Sequence, residues 1–187
     1  MTSPTASVPA LLALLELERE QLLASFASIH SDRRARSASE GASAGEDEGE
    51  IGWSAAQIIE HCARVEGGVA RMIVKGAELP RTATSEELQA SVLTERTIGW
   101  VRDRVAKVEA PERVHPTGTL DADAALAQLQ ATREALLAAF MAADPAVLDG
   151  IAFPHPFLGP LTLRSWTELV AHHDARHAQQ MAELFLA

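Results

Sequence analysis

Residues 171–180 read AHHDARHAQQ, which is three histidines, an aspartate and an arginine inside ten positions of a chain otherwise rich in Ala and Leu. Imidazole is the commonest metal ligand and the side chain whose charge changes nearest neutral pH, so such a cluster can do metal or acid–base chemistry. On a helix, His173 and His177 stand one turn apart on the same face. With about 6 Å between their Cβ atoms, both rings can bind one ion. A second histidine-bearing segment, GWSAAQIIEHCARVE, sets His61 in the row Ile58, His61, Val65, Gly68, Met72, and the final segment carries the row Trp166, Val170, His173, His177, Met181, Leu184. Both rows step by three and four, the spacing of a buried helical stripe, so the three histidines are expected to point inward. Three imidazoles with an open fourth position form a catalytic zinc arrangement, and helical bundles build such sites from inward side chains on facing helices. The competing reading is a set of core histidines hydrogen-bonded to their neighbours. Burying a polar ring unpaired costs roughly 1–3 kcal/mol, and the rows bring few carboxylates inward, with Glu60 expected to face away.

Residues adjacent to these positions are assigned by helical phase. His172 and Cys62 lie about 100° round the helix from the histidine rows and are expected to be bystanders. The run His173-Asp174-Ala175-Arg176-His177 comes within one methylene of the zinc-protease pattern His-Glu-x-x-His. Only ten residues follow His177, too few for a further helix bearing a third ligand, and an aspartate reaches less far toward a metal-bound water, so a protease is set aside.

The elements that position these groups follow from periodicity and caps. A first helix runs from Val8 to about Ile29 through Leu11, Leu14, Leu15, Leu22 and Phe26. The Ser/Gly/Glu-rich stretch that follows has little to bury, and residues 36–50 are expected to form a mobile acidic loop. Ser54 and Gln57 make a capping box that opens the His61 helix, which should continue to about Lys75. Thr84 and Glu87 open a connecting helix ending near Val108, where prolines intervene. Asp121 caps a helix through Leu129, Leu136 and Phe140 that stops before Asp144-Pro145. A loop, DGIAFPHPFLGP, leads to Thr162, the N-cap of the last helix, with Leu161 and Trp166 as a hydrophobic staple. Residues 1–187 are expected to form one all-α domain, a bundle with an additional connecting helix.

Composition narrows the functions. Of the 187 residues 47% are hydrophobic but only 4% aromatic, with no tyrosine, which favours packed helices over sheets. The formal net charge of −10 and the lack of a dense basic patch argue against nucleic acid as a partner. No apolar run is long enough to span a bilayer, and the beginning of the chain lacks signal-peptide features. With the single cysteine, Cys62, this gives the expectation of a cytoplasmic protein with no membrane partner.

Taken together, GWSAAQIIEHCARVE, the loop FPHPFLGPLT, the tryptophan at 166 and HDARHAQQ resemble the DinB-like superfamily of metalloenzymes, in its larger helical-bundle branch. The resemblance runs in element order over residues 8–187. It implies a four-helix bundle core of unusual connectivity, a homodimer, and a divalent ion, zinc or nickel, held by three histidines matching His61, His173 and His177. Arg176 and Gln180 match an Arg-His-x-x-Gln pattern of this branch and are candidates for orienting a ligand or contacting substrate, although Arg176 is equally compatible with a solvated surface charge. His155 is a candidate acid/base or fourth ligand, or a structural loop residue. Relatives that use bacillithiol, mycothiol or glutathione imply a transferase in which a metal-activated low-molecular-weight thiol, or water, attacks a small electrophilic substrate. The alternative is a non-catalytic, metal-binding, stress-associated dimeric helical module. Three imidazoles suit Zn, Ni, Cu and Fe alike.

Overall fold

A computed structural model of the chain describes residues 7–35, 52–79, 83–105 and 108–186. The acidic segment 36–50, expected to be a mobile loop, lies outside the described residues. Four long helices form a bundle: α1 (Val8–Ser28), α2 (Ala55–Gly76), α5 (Ala122–Ala142) and α7 (Leu163–Leu186). α2 packs along α5, α1 along α7, and α2 also faces α7. Their starts are chemically specified. Ser7 accepts from the Ala10 N–H at the head of α1, where proline occupies the first turn, and Asp121 accepts from the Ala124 N–H at the head of α5. At α2 the Gln57 N–H donates to Ser54 Oγ at 3.2 Å while the Ser54 N–H donates to Gln57 Oε1 at 2.8 Å, completing the capping box. The Ser165 N–H donates to Thr162 Oγ1 at 3.2 Å, which caps α7 as its sequence predicts.

The connection between α2 and α5 differs from expectation. The stretch after Thr84 forms two short helices, α3 (Ser85–Ala90) and α4 (Glu95–Arg102), rather than one helix reaching Val108. The break has a local cause and a tertiary one. Thr94 caps α4 by accepting from the Thr97 N–H, and the Ser91 carbonyl, which ends α3, accepts from the Ser165 hydroxyl of α7 at 2.8 Å. α4 stops at Arg102 because the following chain is drawn over the bundle, where the Val101 and Asp103 carbonyls both accept from the Arg176 guanidinium.

The segment between α5 and α7 also carries more structure than a loop. Asp144 caps a short helix, α6 (Pro145–Gly150), and the prolines that follow lie in an antiparallel hairpin of β1 (Ala152–His155) and β2 (Gly159–Thr162). Pro154 pairs with Pro160 in its register. A two-stranded ribbon consists only of edges, which is where a strand tolerates the missing N–H of proline. Gly159 takes the left-handed conformation, φ +77°, that lets the chain return.

The core is divided by a layer of charge. One apolar cluster contains Leu11, Leu15, Val69, Ile73, Leu136, Phe140, Leu163 and Val170, and the other contains Leu22, Phe26, Ile58, Ile59, Leu129 and Met181. On each long helix the residues between the clusters are polar and buried or nearly so. Arg19 of α1 meets Glu66 of α2 at 2.9 Å and Asp174 of α7 at 3.0 Å, while Arg133 of α5 meets Glu66 at 2.5 Å and Asp174 at 3.0 Å. The result is a closed ring of alternating charge with one member from each helix. These inward carboxylates, which the helical rows did not reveal, pair with arginine and not with histidine.

A candidate metal centre

His61 on α2 and His173 and His177 on α7 converge where the two helices face each other. His61 Nε2 lies 3.0 Å from His173 Nε2, which lies 3.1 Å from His177 Nε2. The tautomers follow from the outer nitrogens. His61 Nδ1 is 2.8 Å from the Val114 carbonyl, and His177 Nδ1 is 2.6 Å from Gln180 Oε1, so each ring carries its proton on Nδ1 and turns a bare Nε2 toward the centre. A single proton on His173 Nε2 can satisfy one neighbour. The lone pair of the other neighbour is then left without a donor at 3.0–3.1 Å, and with the His173 proton on Nδ1 all three Nε2 lone pairs would face one another; a cation between them relieves either arrangement. Two nitrogens bound to one tetrahedral zinc at 2.0–2.1 Å stand about 3.3 Å apart. The observed separations are close to that value, so these residues fit a first-row divalent ion.

Burial and neighbours keep the three rings neutral. Desolvation lowers His61 to about 4 against the opposing bond from Val114, and it holds His173 and His177 well below the usual histidine range. Neutral imidazole is the ligand form. Trp53 packs on His61 with ring centroids 4.8 Å apart. Glu60, whose helical phase predicts a side chain facing away, is instead buried at 2% exposure and accepts from the Thr117 and Gly118 backbone N–H groups at 2.7 and 3.3 Å. It thereby ties down the loop whose Val114 carbonyl orients His61, and Gly118 meets the turn with φ +69°.

The neighbouring candidates fall into distinct places. Gln180 is buried and touches His177 directly. Arg176 is not a solvated charge: it is buried, donates to the Val101 and Asp103 carbonyls, and depresses the protonation of His173. His172 is turned away from the centre, as its phase predicts, yet it is buried and lies 3.2 Å from Arg102, which also donates to Glu18. Cys62 lies nearer than its phase suggests, since it, His173 and Asp174 bring possible ligand atoms within 4.8 Å of one another. Asp174 Oδ2 is already held by Arg19 and Arg133, which leaves it unsuited to act as the base of a His-Asp-x-x-His protease.

His61 and His173 open on a cavity of about 530 Å³ between α2, α4, α7, the hairpin and the loop after α4, while His177 is fully buried and does not line it. The row Val65, Gly68, Met72, expected in the packed core, lines this cavity and is only partly buried. The more deeply buried row of α2 is Ile59, Ala63, Glu66, Ala70 and Ile73. His155 also lines the cavity, with its ring 4.8 Å from Trp166. The Phe157 N–H donates to its Nδ1 at 3.2 Å, so the proton sits on Nε2, and burial together with Arg113 lowers its pKa to about 4. His155 is therefore neutral at pH 7 and offers an N–H.

Comparison with known proteins agrees with this architecture. A model of the DinB superfamily matches residues 14–181. The protein YuaE of Bacillus subtilis (strain 168), described as uncharacterized, is 26% identical over 133 residues, 71% of this chain and 76% of that protein. The crystal structure of TT2238, described as a four-helix bundle protein, superposes with a TM-score of 0.59 at 23% identity, covering 94% of this chain and 98% of that one. That likeness is one of fold.

Proposed function

From the premise that this chain belongs to the DinB superfamily, we propose that it is a divalent-metal-dependent enzyme whose ion is held by His61, His173 and His177. The observation that carries this reading is the meeting of three Nε2 atoms, two of them deprotonated by their outer hydrogen bonds. Zinc or nickel suits the nitrogen donors. An ion bound there supplies Lewis acidity, favouring thiolate over thiol, or hydroxide over water, near neutral pH.

The chain's own residues do the remaining work. Val114 and Gln180 hold two of the rings in the ligand tautomer, and Glu60 secures the Val114 loop. The apolar cavity walls keep bulk water from a reactive sulfur, and the His155 N–H is available to orient a polar group of the substrate. A low-molecular-weight thiol fits this setting as cosubstrate: its sulfur forms a bond to an electrophilic carbon, the leaving group departs with its electron pair, and the thiol proton passes to solvent. A cavity of about 530 Å³ reaching two of the three histidines favours an enzyme over a purely structural metal site, which is normally closed.

Metal analysis of untagged protein tests the ligand set. About one zinc or nickel ion per chain is expected, with nearly complete loss in His173→Ala/His177→Ala. Equal metal content in the two proteins overturns the assignment. Conjugation of thiols to monochlorobimane then separates enzyme from binding module, since only the enzyme gives turnover that disappears on chelation.

A further inference from the structure

The cavity beside the histidines has an unusual charge balance. Its described lining contains four cations, Arg71, Lys75, Arg113 and Arg176, against one acid, Glu109, in a chain with a formal net charge of −10. Arg176 is buried and committed to the Val101 and Asp103 carbonyls. The other three are exposed, and their side chains have no ion pair or hydrogen bond among the described residues. They are distributed around the opening: Arg71 and Lys75 one turn apart on α2, and Arg113 on the loop after α4, close enough to His155 to depress its protonation. Five arginines elsewhere among the described residues, Arg19, Arg102, Arg104, Arg133 and Arg164, pair with carboxylates. Cations left without partners around one cavity of an acidic protein create a local positive field that attracts anions and disfavours cations.

Between these charges the walls are apolar. Val65, Met72, Phe153 and Trp166 line the interior, and Trp100 and Phe157, exposed by 40% and 51%, stand at the mouth with ring centroids 6.4 Å apart. Such walls favour a ligand with an aromatic or aliphatic body.

We propose that the cavity binds an organic monoanion with an apolar body, the body against the aromatic walls and the anionic group at the mouth among Arg71, Lys75 and Arg113. The inference deepens the proposed function by naming its substrate class, and it rests on that reading only in calling the ligand a substrate. The opposite end of the ligand then faces His61 and His173. Exposed cations act through a field that salt screens, so the preference for an anion falls as ionic strength rises.

The test is calorimetric titration with 4-phenylbutyrate and its uncharged analogue 4-phenylbutanamide, using the full chain both zinc-loaded and stripped with chelator. The wild type is expected to bind the carboxylate about tenfold more tightly than the amide in both forms, with the preference shrinking from 20 mM to 500 mM NaCl. In Arg71→Gln/Lys75→Gln/Arg113→Gln, whose exposed positions leave the melting temperature unchanged, the two ligands are expected to bind within about twofold of each other. Equal affinities in the wild type, no binding of either ligand, or a preference that survives the triple substitution would each overturn the inference. So would a preference that disappears on chelation, since the carboxylate would then be a metal ligand. Failure of the metal assignment gives a different result: no bound ion, with the charge preference intact in the stripped protein.

Discussion

At the residue scale, the histidines matter less as a cluster than as three rings with assigned protons. Imidazole can present either nitrogen, and the outer hydrogen bond decides which. Gln180 makes that choice for His177 at 2.6 Å. Gln180→Leu keeps much of the side-chain volume and removes the acceptor, freeing His177 to flip or to change tautomer. It should weaken zinc affinity by about 10- to 100-fold while leaving the fold intact, read by competition with a chromogenic chelator. Gln180→Glu retains an acceptor and should preserve affinity within a few-fold; a loss equal to that of the leucine variant would show that the amide acts by packing. The i, i+4 spacing on α7 and the phase of His61 were legible from the sequence because both are properties of a single helix. The partner of His61 Nδ1 was not, since the Val114 carbonyl reaches it across 53 positions of chain.

At the scale of elements, the four long helices are joined midway by the Arg19–Glu66–Arg133–Asp174 ring. Every member is buried or nearly so, and each arginine contacts both acids. A buried ion network is weak evidence for stability over an apolar layer, but removing one partner leaves an uncompensated charge. Arg133→Met leaves two carboxylates to share Arg19. It should cost about 3 to 5 kcal/mol in chemical denaturation, against under 1 kcal/mol for an exposed arginine such as Arg96→Met. Adding Glu66→Gln to Arg133→Met should recover part of that loss, and independent, additive losses would contradict a coupled ring. The ring also ties Asp174, and with it the neighbouring His173, to α1, α2 and α5. Helical rows drawn for α2 and α7 marked an apolar face and so passed over the arginine–carboxylate layer, whose members look solvent-facing until partners from other helices cover them. The hairpin is hidden in the sequence for a related reason, since its prolines carry a loop signal and only the cross-strand register makes them a ribbon.

At the scale of the whole molecule, the buried imidazoles set an acid limit. His61 and His155 are both lowered to about 4, and His173 and His177 lie well below the ordinary value, all chiefly through desolvation. In the unfolded chain these imidazoles take up protons near pH 6.5, whereas in the folded chain His61 and His155 stay neutral down to about pH 4 and His173 and His177 stay neutral well below the ordinary value. Between these values the unfolded state binds more protons, so stability is retained above about pH 6.5 and falls as the solution is acidified toward pH 4. His61 alone accounts for on the order of 3 kcal/mol of that fall. Metal-free protein should lose melting temperature steeply from pH 7 to 4.5, and His61→Leu should flatten the profile. A parallel profile in that variant would place the acid sensitivity elsewhere. No helix of the described residues is long and apolar enough to cross a membrane.

Sequence alone determined what depends on neighbours a few residues apart: the four long helices, the caps of the last three, the phase that turns His61, His173 and His177 inward, and the resemblance that those motifs carry. Tertiary structure decided what depends on segments distant in the chain. It joined His61 to His173 across 112 positions, withdrew Asp174 and Glu66 into an arginine ring, and broke the connecting helix at Ser91. It also turned the row Val65–Gly68–Met72 from packed core into the wall of a cavity. Periodicity reports that a face is apolar. Whether that face meets another helix or encloses space for a ligand is set by how closely the remaining elements approach, and that distance is a property of the assembled bundle.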